Sequence, residues 1–507
     1  MLESCISNIK EGSNLLDNVQ CEHPLDQDVA DSLQKLFSSI RDNDDDYQIF
    51  RHRDKTDELW RLLIEKAIKC LRFYDEREPF KENPEKTPKA YGVDELKKYY
   101  DKYTEFERLL YGSNQHYRDH VVHVFRTWLS GVELLTKNNG VYLNEITIHE
   151  KDCTIALENV EKLSIWTLIA LTHDLGYPLE KAKSIIDATR AMVATFITNP
   201  DISVDFYFHG VQNHMNDFIV RLMSSKMKLH PESDRTSEQT GRKEENYVAR
   251  LQPKYYFKFQ KSLERNHHGI LSTLIIYKLL TYFLESDYNV NEDYTFDKEE
   301  RRQFYIRREI LRAIASHTCD DVYQLYMTSF AFLLRICDDT QEWGRKSISE
   351  LYVESNQKYE INDIGLRTAE EQGKDHECTI KELITLDNPH TVTKLIERFR
   401  EQSIKYVMVF RDGQDTKNRD FSFIRKILIQ CGEIEINLTL NISKDRASTL
   451  KGEVQYCSDE LKNRPFDQTF FSKIASEIKI FDKMNNSKEN GSTPRDWHKG
   501  IFDISLS

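Results

Sequence analysis

Histidines and aspartates recur between residues 116 and 339 at places where hydrophobic runs begin or end. His116, His120 and His123 are spaced i, i+4 and i+7, which would put them on one face of a helix. The apolar run Leu163–Leu175 closes on Thr172-His173-Asp174-Leu175-Gly176. Asn266-His267-His268-Gly269 opens another run, Leu311–His317 ends in a histidine, and Phe332–Asp339 ends in paired carboxylates. A satisfied core histidine explains any one of these; the ordered repetition needs a shared cause. Burying ionisable groups is costly without a compensating partner. A divalent cation is such a partner, because neutral imidazole and carboxylate both ligate it well. The donor set admits one or two ions per chain, of Mn, Mg, Fe, Co or Ni, and does not choose among them.

These residues require helices to hold them. Tyr111–Leu135 reads as a single helix carrying the first three histidines, and Leu163–Leu175 as a buried helix with Gly176 freeing the backbone to leave it. Ile270–Phe283, Leu311–His317 and Phe332–Asp339 supply the remaining helical supports. Upstream, the first fifty residues are polar and end in the acidic run Asp42–Asp46, which reads as a solvated loop. Leu59, Trp60, Leu62, Leu63, Ala67 and Leu71 then mark an amphipathic helix, followed by a proline-rich linker over Pro79–Pro88. Pro231–Asn246 and Glu285–Glu300 read as exposed loops or lids, and Asn485–Pro494 as a polar low-complexity stretch. After about Ile380, Tyr406–Phe410 and Ile434–Ile442 alternate as strands do, the latter preceded by Cys431-Gly432. The expectation is a mainly α fold: an N-terminal helical region and linker over 1–92, a helical core over 93–379, and a smaller α+β domain over 380–507.

Composition narrows the function. With 39% apolar and 31% charged residues and 26 Phe and 25 Tyr, the chain is globular rather than disordered. Its net charge of -13 disfavours long nucleic acid, whose affinity comes from Lys and Arg neutralising phosphates. It leaves room for a small phosphorylated substrate, since bound metal supplies local positive charge. Nine scattered cysteines without a C-x-x-C pair fit a reduced, intracellular protein. No uncharged apolar run reaches the ~18–20 residues of a membrane span, and Met1–Ser13 lacks a signal-peptide layout. A cytoplasmic protein without a membrane partner is expected.

As an ordered set, the motif residues resemble the HD superfamily of metal-dependent phosphohydrolases. That family's signature is a histidine, an adjacent His-Asp and a distal aspartate on separate helices, with further histidines between them in two-metal members. The resemblance covers roughly residues 110 to 345. It implies His120 as the first ligand, with Val124 one turn on, then the pair His173-Asp174. It matches the added histidines to His268, with His267 competing and Ser272 one turn later, and to His317. The last ligand is matched to Asp338, with Asp339 competing. His116, four residues before His120, stands where the cyclic-nucleotide phosphodiesterase branch carries a proton-donating histidine. The chain departs from the family in having Leu175-Gly176-Tyr177-Pro178 after the His-Asp pair, where many members place Gly-Lys. The element His267-His268-Gly269 also lacks the longer Gly-Tyr-Pro tail of the cyclic-di-GMP group. The segment Cys337–Arg345 resembles a subgroup found beside bacterial defence genes, which implies a role in antiviral defence.

The roles implied by the resemblance follow. Asp174 bridges two ions, one also held by His120, His173 and Asp338 and the other by His268 and His317. Such ions lower the pKa of water from ~15.7 toward neutrality and neutralise charge on phosphoryl oxygens. His116 or His267 donates a proton to the leaving oxygen, a contribution of ~10²–10⁴ in rate. Arg118 and Lys181, with Arg126 and Lys183, are candidate phosphate contacts. A one-metal arrangement keeps His120, His173, Asp174 and Asp338. The implied substrate is a nucleotide, foremost a deoxynucleoside triphosphate cleaved to nucleoside and triphosphate by a homo-oligomeric enzyme. The alternatives are a cyclic mono- or dinucleotide phosphodiesterase and a non-catalytic nucleotide sensor. The role of the C-terminal segment stays open.

Overall fold

The computed structural model describes residues 16, 19–38, 53–74, 92–113, 119–150, 153–195, 211–230, 246–281, 295–319, 326–341, 358–367, 376–386, 395–396, 398–399, 401–403, 405–406, 421–431, 434–442, 449–456 and 501–506. The fold is mainly α. Its helices are α1 (Gln27–Ser38), α2 (Arg53–Phe73), α3 (Val93–Ser113), α4 (Val121–Glu145), α5 (Asn159–Thr172), α6 (Tyr177–Ala194), α7 (Val211–Ser224), α8 (Pro253–Glu264), α9 (His268–Thr281), α10 (Lys298–Thr318) and α11 (Phe330–Gln341).

The centre of the bundle is α5, buried at every position from Val160 to Thr172. α2, α4, α10 and α11 pack around it. The expected stripe on α2 is buried at Leu59, Trp60, Leu63, Ala67 and Leu71. Trp60 also donates its indole N–H to the Leu171 carbonyl at 2.9 Å, satisfying one of the orphan acceptors in the last turn of α5. Gly131 of α4 lies flat on Trp166, where a Cβ would fall 2.0 Å from the indole. Among the described residues no helix is long and apolar enough to cross a membrane.

Several sequence expectations need correcting. The core is not wholly helical: β1 (Ile148–Glu150) and β2 (Cys153–Ile155) form a hairpin, and β3 (Ser225–Leu229), β4 (Tyr247–Leu251) and β5 (Thr295–Phe296) form a small sheet. Part of the expected Glu285–Glu300 loop is therefore structured, with Asp297 capping α10 through the Glu300 N–H. The polar N-terminal region contains α1, which buries Val29, Leu33, Leu36 and Phe37. Tyr111–Leu135 is not one helix: α3 ends at Ser113, and α4 begins at Val121. The stretches 42–46, 79–88, 231–245 and 485–494 lie outside the described residues.

The C-terminal part is a six-stranded sheet in the order β11-β10-β9-β8-β7-β6, made of β6 (Lys358–Arg367), β7 (His376–Leu386), β8 (Phe421–Cys431), β9 (Ile434–Ile442), β10 (Thr449–Tyr456) and β11 (Ile501–Leu506). It begins before the expected boundary, which would have cut β7 in two. Neighbouring strands are antiparallel except β7–β8 and β10–β11. The alternating Ile434–Ile442 segment is β9, with Ile436, Leu438, Leu440 and Ile442 facing the core. Tyr406, expected in a strand, is helical, and residues 407–410 lie outside the described residues. Sheet and bundle share a core: Phe332 of α11 meets Phe423 of β8 edge-on at 5.7 Å.

Candidate metal centre

The helix ends converge. α5 delivers His173 as its C-cap and Asp174 immediately after; α9 begins at His268; α10 carries His317 in its last turn; α11 carries Asp338. The fourth histidine comes from the first turn of α4, and it is His123 rather than His120. Its Nε2 lies 2.9 Å from Asp338 Oδ1 and 3.7 Å from Asp174 Oδ2. Three overlapping groups have ligand atoms all within 4.8 Å of one another: His123-His173-Asp174, His173-His317-Asp338 and Asp174-His268-His317.

Asp174 is the hub. Its Oδ1 is 3.5 Å from His173 Nε2, 3.3 Å from His268 Nε2 and 3.6 Å from His317 Nε2. His173 donates Nδ1–H to the Ala170 carbonyl at 2.8 Å, and His317 donates to Ile314 O. Those bonds fix the tautomers, leaving each Nε2 lone pair aimed inward, the usual preparation of a metal-binding imidazole. His173 is fully buried, and its Nε2 makes no hydrogen bond among the described residues. An orphaned buried acceptor facing two carboxylates fits a cation ligand.

Electrostatics follow from this crowding. Burial alone would raise the Asp174 carboxyl, but His173, His268 and His317 hold it well below the usual carboxylate range. His123 and His173 do the same for Asp338 against its own burial. Burial opposes protonation of His173, and Asp174 and Asp338 outweigh it, raising that imidazole. Burial pushes His317 down, helped by the neighbouring imidazoles. Asp339 is raised by burial and belongs to none of the three groups; Tyr406 is its hydrogen-bonding neighbour. Of the two competing aspartates, Asp338 faces the centre.

Two glycines allow the close approach. A Cβ on Gly176 would stand 2.3 Å from the His268 carbonyl oxygen and 2.7 Å from Ser272 N. Its φ of -80° is ordinary helical backbone, so the glycine is needed here for space and not, as expected, to leave the helix. Its N–H donates to Ser272 Oγ at 2.8 Å, and that hydroxyl lies 2.6 Å from His173 O. A Cβ on Gly269 would meet Thr318 Oγ1 at 2.5 Å and Ile314 O at 2.8 Å. Together they pin α9 to the His-Asp turn and to α10.

The other expected site residues fall outside this set. His120 occupies the N-cap position of α4, and its Nδ1 faces the buried Glu107 carboxylate at 3.3 Å while its ring lies tilted against Tyr177, centroids 3.7 Å apart. The helix starts later than the histidine spacing suggested, which turns His120 out of the centre. His267 is directed to Ser262 Oγ at 3.1 Å. Lys181 lies over the Tyr177 ring at 4.8 Å. His116 and Arg118 lie outside the described residues. Sequence reasoning missed the role of His123, Glu107 and Glu180. Asp119 was the available signal for the first: it accepts the Val122 N–H, a helix-start contact that moves His123 into the first turn.

Comparison of the chain with protein-family models, with curated proteins and with solved structures finds no match.

Proposed function

We propose that this chain is a metal-dependent phosphohydrolase of the HD type acting on a nucleotide, with deoxynucleoside triphosphates as the first substrate class and antiviral defence as its setting. The observation that supports this reading is the Asp174 hub. One carboxylate lies within 3.3–3.7 Å of the Nε2 atoms of four histidines drawn from four segments of the chain. A structural core rarely gathers so many buried ionisable groups without a cation to hold them.

His123, His173, Asp174 and Asp338 would hold one ion, and Asp174, His268 and His317 a second. Bound there, divalent cations acidify water and offset charge on a phosphoryl group. The chain's own residues prepare this chemistry. His173 and His317 are oriented by their helices, Asp174 is kept ionised, and Ser272 locks the turn that carries the His-Asp pair. Proton transfer to the leaving group is assigned to a histidine outside the ligand set; His267 keeps its Nε2 for this role while Ser262 engages Nδ1.

The test joins elemental analysis of the purified chain to a hydrolysis screen of deoxynucleoside triphosphates, ribonucleoside triphosphates and cyclic nucleotides with Mn²⁺. Release of triphosphate from a deoxynucleotide is the expected result. Turnover of cyclic nucleotides alone would shift the assignment to a phosphodiesterase. Tight nucleotide binding without turnover by the metal-loaded chain would replace the enzyme reading with a sensor.

A further inference from the structure

Among three histidines of the centre, His173, His268 and His317, one obtains its orienting partner differently. His173 and His317 sit at the ends of α5 and α10, so the carbonyl three residues earlier in the same helix accepts the Nδ1–H. His268 is the first residue of α9, with no preceding helical turn to supply an acceptor. The acceptor comes from α6. Glu180 Oε2 accepts the His268 Nδ1–H at 2.7 Å and also its backbone N–H at 2.8 Å.

We infer that Glu180 is a positioning residue for one half of the centre: its carboxylate sets the ring orientation and tautomer of His268, and thereby the ion held by Asp174, His268 and His317. The half built on His123, His173 and Asp338 stands without it. This rests on the metal-dependent reading above.

The double contact explains why a carboxylate occupies this position. One oxygen satisfies an orphan N–H at the start of α9, where the helix dipole favours negative charge. The same oxygen fixes the imidazole, sending Nε2 to 3.3 Å from Asp174 Oδ1 and 3.1 Å from His317 Nε2. Glu180 also follows Asp174 by six residues, across the turn where Gly176 lets α6 and α9 touch. The His-Asp segment thus carries both the bridging carboxylate and the one that aims its partner histidine. Orienting contacts of this kind typically govern metal affinity by about 10–100-fold.

The experiment is a Co²⁺ titration of the full chain, wild type, Glu180→Gln and His268→Ala, followed by elemental analysis and the visible absorption of bound Co²⁺. Glutamine still accepts the backbone N–H, so the helix start is kept while the anion is lost. The wild type is expected to take two equivalents, one for each half of the centre. Glu180→Gln should keep the tighter equivalent, which also reports that the chain is folded, and weaken the other by about 10–100-fold. The weakened band should be the one that His268→Ala abolishes, and Glu180→Asp should restore part of it. Equal affinities in wild type and Glu180→Gln would overturn the inference and leave the metal-dependent reading standing. Loss of both equivalents from a folded Glu180→Gln chain, or a wild type that takes a single equivalent, would also overturn it. A wild type that binds no Co²⁺ would remove both readings together.

Discussion

His268 and His317 present their Nε2 atoms to each other at 3.1 Å. Each ring has its Nδ1 committed, to Glu180 and to the Ile314 carbonyl, so both Nε2 atoms carry lone pairs into the same space. Lone pairs at that separation repel unless a positive charge lies between them. In the metal-free chain a proton fills this role: burial opposes it, but Asp174 and Glu180 outweigh burial and hold the His268 imidazole up to about 9. A divalent cation serves the same electrostatic need with more charge.

A metal ion bound here would compete with that proton for His268. Below about 9 the metal-free chain carries the proton, so binding at this half should weaken as pH falls, by up to ten-fold per unit. The slope should flatten as pH approaches 9. In the metal-free chain the sign for stability is opposite. The raised imidazole stabilises fully below the ordinary histidine value and loses that contribution as pH rises toward 9. Mn²⁺ affinities from pH 6 to 9, with calorimetry in buffers of different ionisation enthalpy, check both the slope and the proton release. A flat profile without proton release contradicts the assignment.

Replacing His123 should remove metal, and replacing His120 should not. His123→Ala deletes the Nε2 shared between Asp174 and Asp338, so one ion should be lost on gel filtration. His120→Ala leaves the ligand set intact but strips a partner from buried Glu107, at a cost of about 1–3 kcal/mol. Metal content and urea unfolding of the two variants separate these outcomes. Equal metal loss in both would return His120 to the centre.

Gly176→Ala is expected to cost more than an ordinary small-to-large change. The new methyl would meet backbone atoms of His268 and Ser272, which cannot rotate away as a side-chain tip can. A loss of about 1–3 kcal/mol, with reduced metal affinity from displacement of α9, is the expected signature. Thermal unfolding with and without added Mn²⁺ measures it.

In the C-terminal sheet, Arg425 and Glu382 form a fully buried pair, with Nε–Oε2 at 2.6 Å and Nη2–Oε1 at 2.9 Å. Arg425 also reaches Gln402 at 2.9 Å and Tyr406 at 3.4 Å. Arg425→Met strands the Glu382 charge and should destabilise by about 3–5 kcal/mol. Adding Glu382→Leu should recover much of that, because the desolvation cost of the pair disappears with both charges. Denaturant titration of the single and double variants decides it.

The sequence by itself determined the mainly α class, the buried stripe on α2, the strand β9 and five of the six clustered site residues: His173, Asp174, His268, His317 and Asp338. Each of these is a local signal, either an apolar period or an ionisable residue at the edge of a buried run. Tertiary structure decided what local spacing cannot encode. His120 and His123 are both three-dimensionally plausible ligands on an idealised helix; where the chain enters α4 chose His123. Asp338 and Asp339 are adjacent in the chain, and only Asp338 falls within the cluster, while Asp339 has Tyr406 beside it. Glu180 is an unremarkable charge in the sequence until α9 begins beside it. The sheet boundary moved because β6 and β7 pair with each other from residue 358 onward, ahead of the strands whose alternation is plain in the sequence. Which polar groups meet depends on contacts between distant helices, and those are fixed only when the core closes.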